Sequence, residues 1–194
     1  MKIETWFPVS ILSGFLDISP ECRKTCLDKI FSIQKLHGAK NNNWRCDTFS
    51  TINLFDMKSD SDFIPIFQEL NPVIYMFAKY LGVFSPNINC VGSWANIAPT
   101  GEYQEFHNHP NSHLSAVLYL QTFENCGNIV FKSHESLNNM FEFKTHDEPS
   151  SFQSCSYVPE DLKILCFKSN LWHMVEKNKS QQNRISLAFN FTVI

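Results

Sequence analysis

Three histidines carry the residue types and spacing for chemistry. His107 and His109 close the stretch Glu102-Tyr103-Gln104-Glu105-Phe106-His107-Asn108-His109-Pro110. In an extended segment, side chains alternate between faces, so Tyr103, Glu105, His107 and His109 are expected on one face. Two imidazoles two residues apart can both reach one metal ion. A single strand does not supply a third ligand with equal ease, so a distant residue is needed. His173, in Leu171-Trp172-His173-Met174-Val175, is the candidate. Imidazole suits iron, zinc, copper and nickel alike, so spacing does not choose the metal. Taken singly, an H-x-H pair is often a solvent-facing hairpin end and a lone histidine an ordinary surface or core residue. The case rests on their combination with the segments that follow.

Residues 184–194 alternate cleanly. Ile185, Leu187, Phe189, Phe191 and Val193 fall on one face. Arg184, Ser186, Ala188, Asn190 and Thr192 fall on the other. On the inside of a barrel, a buried arginine requires an anion. A guanidinium is shaped for a carboxylate held by two parallel hydrogen bonds. The Ser186 hydroxyl, two residues on, can share that carboxylate. Residues 114–121 behave likewise. Leu114, Ala116, Leu118 and Leu120 form an apolar face, and Ser115, Val117, Tyr119 and Gln121 a mixed one, from which the Tyr119 phenol can reach the same anion.

The elements that must position these groups can be read in outline. Residues 5–17 read as an extended start, with Pro8 suited to an edge strand. Ser19-Pro20 opens a helix, serine as the cap and proline at the first helical position. Cys22, Cys26, Ile30 and Ile33 recur at helical spacing to about Leu36, and Gly38 closes the helix. Residues 39–58 are polar and irregular. A second helical region follows Ser59, where Pro65 and Pro72 are expected to break or kink it, leaving 71–81 as the better helix. From Ile88 the pattern becomes short strands near 90–98, 103–109, 114–122, 128–133, 140–145, 162–168, 172–176 and 184–193. Many short strands after a helical start predict a barrel or jelly roll braced by two to three helices. No repeat or low-complexity linker divides the chain. Residues 1–194 therefore read as one domain, with 1–87 as helical and edge-strand support and 88–194 as the β-core with the site.

Composition narrows the function classes. The 194 residues are 43% hydrophobic and 18% charged, enough for a real core and unlike a disordered chain. The net charge of -3 and the lack of any Lys/Arg-dense stretch leave no nucleic-acid footprint. Eighteen phenylalanines predict an aromatic core. Seven cysteines with no C-x-x-C, no signal-peptide pattern and no apolar run near ~20 residues predict a reduced, soluble, cytoplasmic protein that does not enter a membrane. The sequence is silent on oligomeric state, which leaves a homodimer open.

Several motifs in order resemble a known family. Ser93-Trp94-Ala95-Asn96, Gly101-Glu102-Tyr103, His107 through Ser115, Val117-Leu118-Tyr119-Leu120, Trp172-His173-Met174-Val175, Asn178, and Arg184 through Asn190 together are similar to the 2-oxoglutarate/Fe(II) oxygenases of cyanophages and marine bacteria, in the prolyl-hydroxylase-like superfamily. The resemblance covers about residues 88–194. It implies a double-stranded β-helix and a jelly-roll core. It also implies Fe(II), 2-oxoglutarate as cosubstrate, ascorbate as a reductant, and molecular oxygen. His107 and His173 would then be metal ligands. Arg184, Ser186 and Tyr119 would hold the distal carboxylate of 2-oxoglutarate, and Tyr103, Asn96, Trp94, Ser115 and Asn190 would shape the pocket. The implied reaction hydroxylates a peptidyl residue or a small molecule and releases succinate and CO2, in host cytoplasm if the source is viral.

One position departs from the family pattern of His-x-Asp/Glu…His: His109 stands where the carboxylate is usual. Three readings follow. His109 ligates, a carboxylate such as Glu105 or Asp147 ligates in its place, or water fills the position with His109 behind it; the first is preferred. Two rivals remain. One is a cupin-like three-histidine metalloprotein that uses no 2-oxoglutarate, and the other a non-catalytic viral β-sandwich module.

Overall fold

The structure, a computed structural model, describes residues 1–2, 8–38, 44–84, 87–133 and 153–194. Two antiparallel sheets face one another. The larger has six strands, here numbered in chain order: β1 (Ile11–Phe15), β2 (Phe49–Ser50), β3 (Ile88–Ala98), β5 (Leu114–Gln121), β8 (Lys163–Lys168) and β10 (Arg184–Val193), in the spatial order β1-β8-β5-β10-β3-β2. The smaller holds β4 (Gln104–His107), β6 (Ile129–Lys132), β7 (Ser154–Tyr157) and β9 (His173–Val175), in the order β4-β9-β6-β7. Helices α1 (Pro20–His37) and α2 (Ile64–Tyr80) brace the larger sheet from outside. This is the expected jelly roll, a double-stranded β-helix with two supporting helices.

Strand alternation sorts the core into two layers. Leu114, Ala116, Leu118 and Leu120 of β5, Ile164 and Cys166 of β8, and Ile185, Leu187, Phe189 and Phe191 of β10 pack with the helices. The intervening residues, Tyr119 of β5 and Leu165 and Phe167 of β8, turn inward with Ile129 and Phe131 of β6. The polar face of β10 therefore lines the space between the sheets, as the period-two pattern required.

Helix α1 starts as its sequence predicts. The Ser19 hydroxyl accepts from the Cys22 N–H at 3.2 Å, and Gly38 ends the helix at φ +86°. Cys26, Ile30 and Ile33 are its buried face. Helix α2 corrects an expectation. It begins at Ile64 and runs unbroken through Pro72. Pro65 sits in the first turn, where no N–H is needed, and Pro72 lies on the exposed side. Ile66, Leu70, Ile74, Phe77 and Ala78 form a continuous buried stripe, and that burial outweighs one missing hydrogen bond on the solvent side. Strand β7 had no counterpart in the sequence reading. The strand expected at 140–145 lies outside the described residues, as do Trp6 and Phe7 of the extended start.

Candidate metal centre

Strands β4 and β9 bring the histidines together. They pair antiparallel with His107 opposite His173, and the register shifts between Gln104 and His107. That irregularity changes the expected four-residue face. The Glu105 carboxylate accepts from the Arg45 N–H at 2.8 Å instead of joining the histidines. Tyr103 lines a separate open concavity of about 680 Å3 that none of the three histidines borders. His109 lies beyond β4, where its backbone N–H donates to the Ser169 carbonyl at 2.9 Å.

The three imidazoles nevertheless converge, with one ligand nitrogen from each within 4.8 Å of the others. His107 and His173 ring centroids stand 4.2 Å apart, and His109 and His173 are 5.1 Å apart and nearly parallel. The Nε2 atoms of His109 and His173 are separated by 3.3 Å. Two imidazole nitrogens on one metal at about 2.0–2.1 Å stand roughly 3.0–3.4 Å apart, so this pair has ligand spacing. The Nδ1 of His107 bonds the Glu105 carbonyl at 2.7 Å, and the Nδ1 of His173 bonds the Leu171 carbonyl at 2.9 Å. A carbonyl only accepts, so both rings carry their proton on Nδ1 and turn a lone pair at Nε2 toward the centre. Among the described residues the cluster contains no carboxylate. Asp147 lies outside them.

An aromatic shell surrounds the cluster. Phe167 and Phe131 flank His173 at 4.8 and 5.7 Å, Trp94 lies 5.6 Å from His109, and Trp44 lies 5.2 Å from His107. Burial disfavours the charged imidazolium. Desolvation, with His107 adding like-charge repulsion, takes His109 down to about 4 and His173 to about 3. Desolvation also lowers His107, against the pull of the Glu105 carbonyl. All three are neutral near pH 7, the state a metal requires. Trp44 was missed in the sequence. Its segment is laced to β4 and the two residues before it by the Arg45, Asp47 and Thr48 bonds to Glu105, Glu102 and Tyr103, and the indole stands beside His107.

The second cluster lies on the inner face of the large sheet. Ser186 of β10 pairs with Tyr119 of β5 on one side and Asn96 of β3 on the other. Arg184, two residues away on the same face, is buried at 5% exposure. Its Nη1 donates to the carbonyls of Cys126, Gly127 and Glu176. Among the described residues no carboxylate pairs with it, and no hydrogen bond engages its Nε or Nη2. Burial lowers its pKa, with Tyr119 and Cys126 opposing. The Tyr119 hydroxyl is fully buried and has no hydrogen-bond partner among the described residues. Burial raises its pKa, against the nearby Arg184 charge, so it is a neutral donor. A buried cation without an anion beside a donor without an acceptor fits one missing ligand, a carboxylate. Trp94 and Asn96 share this inner face of β3, since the intervening Ala95 and Ile97 face the helices. Ser115 and Asn190 pair across β5 and β10. Tyr103 lines the concavity that Gly127 and Glu176 also border, on the Arg184 side and away from the three histidines.

Fold, imidazole cluster and anion-seeking arginine define a jelly-roll protein with a three-histidine candidate metal centre. Solved structures of similar fold include a prolyl-4-hydroxylase from Pseudomonas putida, with TM-score 0.68, 12% identity, and 96% of this chain and 94% of that chain covered. HygX from Streptomyces hygroscopicus, with nickel, 2-oxoglutarate and hygromycin B bound, matches at TM-score 0.63 and 11% identity over 95% and 83% of the two chains. The viral collagen prolyl hydroxylase of Paramecium Bursaria Chlorella virus-1, in complex with 2-oxoglutarate, matches at 0.59 and 10% over 95% and 96%. At such identities the likeness is one of fold. A search of curated proteins finds no match. The family model described as "Putative 2OG-Fe(II) oxygenase" matches residues 92–190, half of the chain. This chain belongs to that family of 2-oxoglutarate- and iron-dependent oxygenases.

Proposed function

We propose that His107, His109 and His173 hold Fe(II), that Arg184, Ser186 and Tyr119 hold the distal carboxylate of 2-oxoglutarate, and that residues 1–194 act as one domain to hydroxylate a peptidyl residue or small metabolite. The carrying observation is that, among the described residues, the buried Arg184 meets no carboxylate and the Tyr119 hydroxyl beside it meets no hydrogen-bond partner. Iron, 2-oxoglutarate and oxygen supply the oxidising chemistry when bound, with succinate and CO2 as co-products and ascorbate as a supporting reductant. The chain supplies the rest. Neutral imidazoles offer Nε2 lone pairs, and the carbonyls of Cys126, Gly127 and Glu176 fix the guanidinium. Phe131 and Phe167 pack against His173, Trp94 packs against His109, and Trp44 stands at the rim beside His107. Three neutral ligands leave the metal one positive charge higher than a site with one carboxylate, which tightens its hold on an anionic cosubstrate. Cytoplasmic residence belongs to the same proposal, supported by seven free cysteines.

The test is succinate formation from 2-oxoglutarate by anaerobically purified protein given Fe(II), ascorbate and air. Wild type turns over slowly without substrate, and both Arg184→Ala and His173→Ala abolish it. Oxygen consumption that is indifferent to 2-oxoglutarate would favour a three-histidine dioxygenase without cosubstrate. Failure to bind iron or 2-oxoglutarate in calorimetry would leave only a binding module.

A further inference from the structure

The third histidine has a different environment from the other two. His107 and His173 each give their Nδ1 proton to a carbonyl two residues earlier, which fixes their tautomers. Among the described residues, no carbonyl pairs with His109 Nδ1. Its Nδ1 faces the side-chain amide of Asn190, whose Nδ2 donates to it at 3.4 Å. The Asn190 Oδ1 accepts from the Ser115 hydroxyl at 2.8 Å, and Ser115 Oγ lies 2.8 Å from Ser169 Oγ. Ser115 and Ser169 are fully buried. Asn190 stands directly across β10 and β5 from Ser115, and β10 shifts register against β3 just after Asn190, the kind of irregularity that re-aims a side chain.

This chain has a direction. With Nδ2 donating to Nδ1, the neutral His109 ring carries its proton on Nε2. That proton points at the Nε2 of His173, which is an acceptor at 3.3 Å because the His173 proton is already on Nδ1. Every donor from Ser115 to His173 then meets an acceptor without a metal. A metal at the centre cannot share Nε2 of His109 with a proton. The proton must leave Nε2 and appear on Nδ1, and Asn190 must then accept.

We infer that Asn190 is a positioning residue that turns its amide end for end when metal binds, making His109 a ligand in the bound state and a hydrogen-bond donor to His173 in the free state. The inference rests on the metal-centre reading above. In the turned state Oδ1 accepts from His109 Nδ1–H, Nδ2 donates to Ser115 Oγ, and the Ser115 hydroxyl donates to Ser169. An amide reverses its polarity by rotation and a serine hydroxyl is both donor and acceptor, so the chain fits either direction. The proton count on His109 does not change: one N–H is lost at Nε2 and one gained at Nδ1 through solvent. Histidine ligands commonly have an outer partner that sets the tautomer. Here that partner is an amide that accommodates both tautomers, where the two neighbouring histidines are fixed in one.

Two-bond 1H–15N correlation of histidine-labelled protein reads the tautomers directly, with Zn(II) as a diamagnetic probe. In the metal-free wild type, His107 and His173 should be Nδ1–H and His109 Nε2–H. Saturating Zn(II) should move His109 to Nδ1–H as well and shift the Nε2 resonances of all three. Asn190→Asp, which can only accept, should hold His109 as Nδ1–H before metal is added and bind Zn(II) at least as tightly as wild type. Asn190→Leu should weaken Zn(II) binding roughly 10- to 100-fold. A purely structural role for Asn190 would not separate the Asp and Leu variants this way. If Zn(II) shifts His107 and His173 while His109 stays Nε2–H, or if Asn190→Leu binds as wild type does, the inference is wrong and the metal centre stands. If Zn(II) shifts none of the three, the metal-centre reading fails and the inference with it.

Discussion

Replacing Tyr119 with phenylalanine removes one buried oxygen and leaves the ring in place. That oxygen has no hydrogen-bond partner among the described residues. Leaving a polar group buried and unpaired costs about 1–3 kcal/mol, so Tyr119→Phe should stabilise the free protein by up to that amount. For a chain of this size, 1 kcal/mol corresponds to roughly 2–4 °C in Tm. Binding of 2-oxoglutarate should move the opposite way. A hydrogen bond to a charged carboxylate contributes about 1.5–3 kcal/mol, so its loss should weaken affinity about 10- to 150-fold. The assay is a pair of thermal melts with Mn(II), with and without 2-oxoglutarate, backed by calorimetric titration of 2-oxoglutarate. The variant should melt higher than wild type without cosubstrate and gain less from adding it. A variant that melts lower without cosubstrate and binds 2-oxoglutarate as wild type does would refute the claim that this hydroxyl waits for a carboxylate.

Other outcomes follow from the same geometry. Gly127 has φ +90°, and a Cβ there would stand 2.3 Å from the Glu176 carbonyl oxygen; the Gly127 and Glu176 carbonyls are two of the three that accept from Arg184. Gly127→Ala should therefore cost roughly 2–4 kcal/mol in urea denaturation and also weaken 2-oxoglutarate binding. Gly14→Ala, with open space around it, should change stability by less than about 1 kcal/mol. Acid should destabilise the metal-free protein early. The folded-state values of His109 and His173, about 4 and about 3, lie below the unfolded value of about 6.5. The unfolded chain therefore binds more protons in that window, and stability present above about pH 6.5 is lost as pH falls toward the folded values. The slope is at most about 1.4 kcal/mol per pH unit per histidine. Urea midpoints that stay flat between pH 7 and 5 would contradict buried neutral imidazoles.

The legible parts of the fold were those with strict periods. The alternation of β10 told which face would meet the helices and which would carry Arg184, Ser186 and Asn190, because a strand has a fixed period of two. Helix α1 announced its cap and its buried stripe. Helix α2 did not, because a proline is a local signal and the burial that overrides it is tertiary. The expected four-residue face from Tyr103 to His109 failed for a related reason. Alternation holds only while the ladder is regular, and β4 is irregular between Gln104 and His107. The site's ligand candidates were visible by type and order, whereas Trp44 over His107 depends on a loop tied to β4 by side chains some sixty residues away.

The sequence by itself determined the inventory: three histidines, one arginine on a polar strand face, a phenol on the neighbouring strand, and a jelly-roll pattern to hold them. Those follow from residue type and short-range period, which a chain carries in any conformation. Only the tertiary structure decided which groups lack partners. That, among the described residues, the Tyr119 hydroxyl has no acceptor, Arg184 has no carboxylate and His109 is the histidine of the three that answers to an amide are facts about absence and direction at close range. They exist only once distant strands have closed around one interior and excluded the water that would otherwise satisfy every polar group equally.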